Sequence, residues 1–309
     1  MPSPPCIFVS FVIAAFCATT RVRCLAGLVL VATAHSFAAT PAIHWTVRHQ
    51  PAKIVNGSPI LIRVTTSKPV RTLTGKWLDH EITFDAEAGQ KTWSAFAGAS
   101  METKPGTYPL QLQAEMQSGQ KLTYRQNIRV QRQRYPRVTL TVAGKYTAPD
   151  PEQLRQIDHD KEVKADAFKS TRPDREWKGA FEPPVKAEIS GVFGTQRVFN
   201  GSVQSTHQGL DFRVTTGTPV AAVNSGTVIL ARPLYFEGNC VVIDHGQGLL
   251  TLYLHLSEIR VKEGMPVTKN EIIGLSGGTG RATGPHLHLA LRWQGIYLNP
   301  EGLFSLQVP

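Results

Sequence analysis

Cysteine is scarce: the 309 residues hold four, of which Cys6, Cys17 and Cys24 crowd the N terminus and Cys240 stands alone in the rest. A disulfide framework is thereby excluded. No acidic residue occurs before Asp79, and the apolar runs at 6–18 and 24–34 are separated by Arg21 and Arg23. Each run falls short of the roughly 20 residues a helical membrane span needs, and one span across both would hold two arginines near its middle. The 26 Gly and 21 Pro follow no fixed period, so collagen and solenoid repeats are out, and long helices and coiled coils do not fit so many breakers. With 41% hydrophobic and 18% charged residues the chain is nevertheless ordinary for a folded protein, with length for about two domains.

What is present begins with an export signal. Arg21 and Arg23 form a basic region, residues 25–34 an apolar one, and Ser36-Phe37-Ala38 a small-x-small cleavage site, so residues 1–38 read as a signal peptide and the mature chain starts near Ala39. An uncleaved N-terminal anchor is the competing reading, and the first 20 residues fit a start codon placed too far upstream. Neither Cys17 nor Cys24 follows a lipobox, so acylation is not expected. The destination is periplasmic or secreted, without stable membrane insertion after cleavage. Thirty-three Lys and Arg against 23 Asp and Glu give +10, or +8 once Arg21 and Arg23 leave. Such a charge draws a protein toward anionic polymers without choosing among nucleic acid, lipid headgroups and cell-wall glycan.

The mature chain reads as mainly β. Residues 39–140 carry short alternating strands, clearest where Leu110, Leu112, Ala114 and Met116 precede a Ser118-Gly119 turn and Leu122, Tyr124, Ile128 and Val130 return, and a small β-sandwich is their natural packing. His44, His49 and His80 are isolated there and read as surface or satisfied histidines. Residues 141–184 read as a helical connector and linker. Asp150-Pro151-Glu152-Gln153 announces a capping box, Leu154, Ile157 and Phe168 give a thin apolar stripe with His159 on the solvated side, and a proline-rich stretch follows over 171–184. Residues 185–309 form a glycine-rich antiparallel β domain, with a Lys269-Asn270 turn and Cys240 as a small buried hydrophobe.

Five of the ten histidines fall between 207 and 288. In Gly284-Pro285-His286-Leu287-His288-Leu289, residues two apart share a strand face, so His286 and His288 point together at about 6.6 Å while Leu287, Leu289 and Leu291 enter the core. One can bind a metal and the other reach its substrate. The same alternation turns Leu250, Leu252, Leu254 and Leu256 inward and puts Thr251, Tyr253 and His255 on the opposite face. His207 and Asp211 would stand about 13 Å apart on a straight strand, so the chain must bend, and Gly209 permits it. Three N/O ligands with a fourth position open to water is the pattern of a catalytic zinc, and His207, Asp211 and His288 supply that count. His245 reads as a structural residue whose ring bonds locally.

These segments, His207-x-x-x-Asp211, Tyr253-Leu254-His255-Leu256 and Thr279-Gly280-Arg281-Ala282-Thr283-Gly284-Pro285-His286-Leu287-His288, together resemble the lysostaphin/LytM-type zinc metallopeptidases over about residues 188–302. The ends of the chain resemble Gram-negative members with a β-rich N-terminal domain. The resemblance implies one Zn²⁺ on His207, Asp211 and His288, with His255 and His286 as the catalytic pair of undivided roles. Ala290 stands where the family often has a carboxylate. Arg197 is expected at the groove rim, meeting a stem-peptide carboxylate. The chain is accordingly expected to be an exported zinc metalloendopeptidase hydrolysing amide bonds of peptidoglycan peptides, chiefly cross-links, in cell-wall remodelling. Peptidoglycan stem peptides are its partner and nucleic acid is not. Two other readings stand beside it: a catalytically silent wall-binding or amidase-activating module, and a peptidase acting on secreted proteins.

Overall fold

In the computed structural model, residues 43–139, 150–170, 172–199 and 202–309 are described, with the side chains of 197–204 left aside. The expected signal peptide, 1–38, lies outside these residues. Alternating apolar residues build the N-terminal region as two facing antiparallel sheets with one parallel edge pair. One sheet runs Trp45–Gln50, Pro59–Thr66, Thr92–Gly98, Asp85–Ala86; the other runs Ile54–Val55, Lys121–Gln131, Gly106–Met116, Val70–Trp77, His80–Thr83. The long hairpin forms as expected, with Glu115 opposite Lys121, Gly119 in the left-handed region, and Leu110, Leu112, Ala114, Ile128 and Val130 buried between the sheets. No helix among the described residues is long and apolar enough to cross a membrane.

The C-terminal region is built on an antiparallel sheet in the order Ile189–Gly191, Gly209–Phe212, Leu287–Trp293, Leu249–Leu256, Gly238–Asp244, Gly226–Leu234, Pro266–Val267, with Ile296–Leu298 also paired to Leu287–Trp293. Both of its faces are buried. Phe212, Val241, Ile243, Tyr253, Leu287, Leu289 and Leu291 join the main core, which runs without a break into the N-terminal sandwich, where the Phe96 and Trp293 rings meet edge-on at 6.0 Å. Leu230, Cys240, Val242, Leu250, Leu252 and Ala290 form a second apolar layer on the other face, covered by Val163, Ala167 and Phe168.

That arrangement reverses one expectation. Leu250 and Leu252 turn toward the covering helix, and Thr251 and Tyr253 enter the main core, because their hydroxyls are satisfied there. The Val223 N–H donates to the Tyr253 hydroxyl at 2.9 Å, and Thr251 Oγ1 bonds both Tyr253 and His245. A buried hydroxyl with its partners in place costs little. His245 is fully buried between the Ser225 carbonyl and Thr251, as a structural residue should be. Burial likewise pushes the Cys240 thiol up, well away from reactivity.

The covering helix is Pro151–Ala167. Asp150 accepts from the N–H groups of Glu152 and Gln153 at 2.9 Å, and Gln153 returns a bond to the Asp150 N–H, closing the capping box. Its inward residues are Ile157, Val163 and Ala167, whereas Leu154 is 48% exposed. Asp160, buried, accepts from the Tyr235 N–H, and Lys164 pairs with Glu237. The proline-rich stretch beyond it is not loose. Trp177 and Phe181 are inserted into the main core, and Asn224 holds the strap by donating to the carbonyls of Lys178, Gly179 and Ala180.

Trp177 therefore behaves as a core residue despite its proline-rich setting. Trp177→Ala should cost about 3–5 kcal/mol in urea unfolding, as for a large ring lost from a core, against less than about 0.5 kcal/mol for an exposed linker position.

Candidate active site

Asp211 and His288 lie directly opposite one another on adjacent antiparallel strands, so strand pairing alone brings their side chains together. His207 comes from the short link between Ser202–Thr206 and Gly209–Phe212, where the chain bends. Its backbone N–H donates to Thr195 O at 2.9 Å and its carbonyl accepts from Gly194 N at 2.8 Å. Its Nδ1 is 2.9 Å from the Val192 carbonyl and so carries the proton, which leaves the Nε2 lone pair facing inward. Gly209 serves the site by close approach: its φ is not left-handed, but a Cβ there would stand 2.3 Å from Leu289 O and 2.5 Å from His288 Nε2.

The three donor atoms converge. His207 Nε2 is 3.0 Å from Asp211 Oδ1 and 3.1 Å from His288 Nδ1, and His288 Nδ1 is 2.8 Å from Asp211 Oδ1. Ligands about 2.1 Å from a tetrahedral zinc stand roughly 3.4 Å apart, so an opening of a few tenths of an ångström turns this triangle into a zinc face. Two imidazoles and one carboxylate, with one side open, are the donor set of a catalytic rather than a closed structural site. Burial works to raise the Asp211 carboxyl, but its contacts with His207 and His288 outweigh it and hold the group well below the usual carboxylate range. Burial pushes His288 down, toward the neutral form a metal requires.

His255 reaches the site by breaking the strand's alternation. Leu254 pairs with His288, so a regular strand would send His255 to the far face with Tyr253. Instead His255 adopts φ +63°, and the register with the neighbouring strand slips between Asn239 and Val241, which pair with Leu256 and Tyr253. The extra residue swings the imidazole to the His288 side and returns Leu256 to the main core. The His255 ring centroid is then 4.8 Å from that of His286 and 6.2 Å from that of His288. Left-handed backbone at a non-glycine residue costs of order 1 kcal/mol and is typical of functional positions. Nothing in Leu254-His255-Leu256 announces it.

Both outer histidines are held as one tautomer. His255 Nδ1 donates to the Thr279 carbonyl at 2.8 Å, and its backbone N–H to Glu237 O at 2.8 Å. Burial pushes its pKa down to about 4, so the ring is neutral at physiological pH. His286 Nδ1 donates to the Gly284 carbonyl at 2.9 Å, and its Nε2 lies 3.8 Å from Asp211 Oδ1. Two Nε2 lone pairs therefore face the open side of the donor triangle. The carbonyls of Val192, Thr279 and Gly284, which set all three tautomers, carry no side-chain signature. Ala290, which stands where the resemblance leads one to expect a carboxylate, is buried and pairs with Gly209 on one side and Leu252 on the other. Arg197 lies on Gln196–Phe199, whose neighbour strands are Ser202–Thr206 and Arg137–Thr139; its side chain is outside the described part.

Comparison with known proteins converges on the same region. Residues 205–300 match Peptidase family M23. Over 115 residues the chain is 50% identical to Peptidoglycan DD-endopeptidase ShyA of Vibrio cholerae, covering 37% of this chain and 27% of that protein. Over 125 residues it is 41% identical to DD-carboxypeptidase/endopeptidase Mpg of Neisseria meningitidis, covering 40% and 29%. The chain thus spans less than a third of the length of either relative. A crystal structure assigned to peptidase M23 from Pseudomonas aeruginosa aligns with a TM-score of 0.61 at 27% identity, over 82% of this chain and 95% of that one.

The two glycines flanking the site should respond differently to a methyl group. Gly209→Ala should cost about 1–3 kcal/mol by overpacking against Leu289 and His288, whereas Gly284→Ala, where a Cβ meets nothing within 4 Å, should stay within about 0.5 kcal/mol. Urea midpoints of the two variants measure the contrast.

Proposed function

We propose that this chain, whose residues 205–300 match Peptidase family M23, is a zinc metalloendopeptidase hydrolysing amide bonds in peptidoglycan peptides, cross-links above all. The observation that carries this reading is the convergence of His207 Nε2, Asp211 Oδ1 and His288 Nδ1 beside two histidines of fixed tautomer. A zinc ion on those atoms would polarise the scissile carbonyl and lower the pKa of bound water toward about 7.

The protein's own residues then manage the proton. An Nε2 lone pair, on His255 or His286, accepts it as solvent attacks the carbonyl carbon and later returns it to the departing amine. Once protonated, that nitrogen is also an N–H donor for the oxyanion. The Nδ1–carbonyl bonds keep each ring from turning, so no reorientation is needed between the two proton transfers. The peptidoglycan substrate is supported by the two relatives named for endopeptidase activity and by the basic balance of the chain, +10 in full and +8 without Arg21 and Arg23, facing an anionic wall. Residues 1–38 act as a signal peptide and the enzyme works in the periplasm or outside the cell, with the N-terminal sandwich as spacer or regulator. A complete donor set sets the chain apart from a catalytically silent module.

His207→Ala and Asp211→Ala should lose zinc and activity together, by elemental analysis and muropeptide separation after digestion of isolated sacculi. His255→Ala should retain zinc and lose about 10²–10⁴-fold in kcat; full activity in it would remove His255 from the proton path. Casein degraded while sacculi stay intact would move the assignment to secreted proteins.

A further inference from the structure

His255 is framed by two backbone segments, and both carry side chains the reaction above does not use. One is residues 236–239: the Glu237 carbonyl accepts from the His255 N–H, and the Asn239 N–H donates to Thr279 Oγ1 at 2.9 Å. The other is the loop from Gly277 to His286, where the Thr279 carbonyl holds the imidazole and Thr279 Oγ1 donates to Leu256 O at 2.7 Å. Arg281 stands on this loop, between the residue that orients His255 and the residue that is His286. Its N–H donates to the Phe236 carbonyl at 2.9 Å, and its guanidinium lies over the Phe236 ring, 4.4 Å from the centroid.

The charge of Arg281 has no counter-ion. All 23 Asp and Glu residues are among the described residues, and none of them lies within ion-pair distance of it. Glu237, the residue after Phe236, is taken by Lys164, and other exposed arginines of this domain are closed by acids, Arg232 by Glu263 and Arg260 by Glu258. An exposed arginine whose only task is solubility needs no platform. A guanidinium pinned at its backbone and stacked on a ring has already lost much of its rotamer freedom, so pairing with an incoming anion costs less entropy. Its planar fork matches a carboxylate with two parallel charge-assisted bonds.

We propose that Arg281, supported by Phe236, is a substrate subsite that receives a free carboxylate of the peptide on the His255 side of the scissile bond. The inference rests on the peptidase reading above and adds to it a requirement on the substrate: the stem peptide must be anionic beside the cleaved bond. Arg281 selects among peptides; it does not take part in proton transfer.

The test compares a cross-linked muropeptide with free stem carboxylates and the same compound amidated. The wild-type chain should cleave the free acid about tenfold more efficiently, the difference lying in KM, and Arg281→Gln should cleave both alike. Arg281→Lys, which keeps charge without the fork, should recover part of the preference. Equal efficiency of the wild type on both compounds, or a preference that survives in Arg281→Gln, overturns the subsite. Calorimetric binding of the two compounds to His255→Ala protein gives the same comparison without turnover. Carboxylate-dependent binding there, abolished by adding Arg281→Gln, supports the subsite even if the wild type cleaves neither compound, an outcome that would overturn the peptidase reading instead; equal binding of both compounds overturns the subsite.

Discussion

Asp211 and His288 meet because Gly209–Phe212 pairs with Leu287–Trp293 in the register that sets Leu210 against Leu289. A slip of one residue would turn every side chain of a strand to the opposite face and send the carboxylate or the imidazole into the main core. The register is held from below by the burial of Leu210, Phe212, Leu287, Leu289 and Leu291. It is held from the side by Gly209, where any Cβ would stand 2.3 Å from Leu289 O on the neighbouring strand. The donor triangle is thus a by-product of hydrophobic packing: the apolar residues choose the register, and the polar ones inherit their positions.

His255 is the exception to that regularity, and its position is worth more than it costs. A strand buried on both faces offers a side chain a choice between two apolar layers, neither of which suits a reactive imidazole. The left-handed turn and the register slip lift His255 out of that choice and place it where two backbone carbonyls hold it, those of Glu237 and Thr279. The same burial that fixes the ring also keeps it neutral. A residue on a flexible loop would gain neither property.

Much of this was legible in the residue pattern, and what was not has a physical reason. The capping box at Asp150, the hairpin at Gly119, the Asn270 turn and the pairing of His286 with His288 all rest on local chemistry, which a sequence carries in full. The convergence of His207 with Asp211 followed from counting donors and requiring a bend. The facing of Leu250 and Leu252 did not follow, because alternation tells which residues share a side but not which side is deeper, and the buried hydroxyls of Thr251 and Tyr253 find partners only across the fold. The position of His255 was hidden by its non-glycine left-handed backbone. The packing of Trp177 and Phe181 was masked by prolines that elsewhere signal an open junction.

The strap that carries Trp177 and Phe181, together with the helix before it, bears on how the C-terminal region can be handled in isolation. A fragment begun at residue 185 would keep every histidine of the site yet strip the lid from Leu230, Val242, Leu250 and Leu252 and empty two aromatic sockets on the opposite face. Such a piece would present greasy patches to solvent and would tend to clump. A cut just ahead of Asp150 leaves both coverings attached but bares the part of the main core that the N-terminal sandwich closes, Trp293 against Phe96 among it, so the C-terminal region is sealed from three sides by segments that carry none of its motifs.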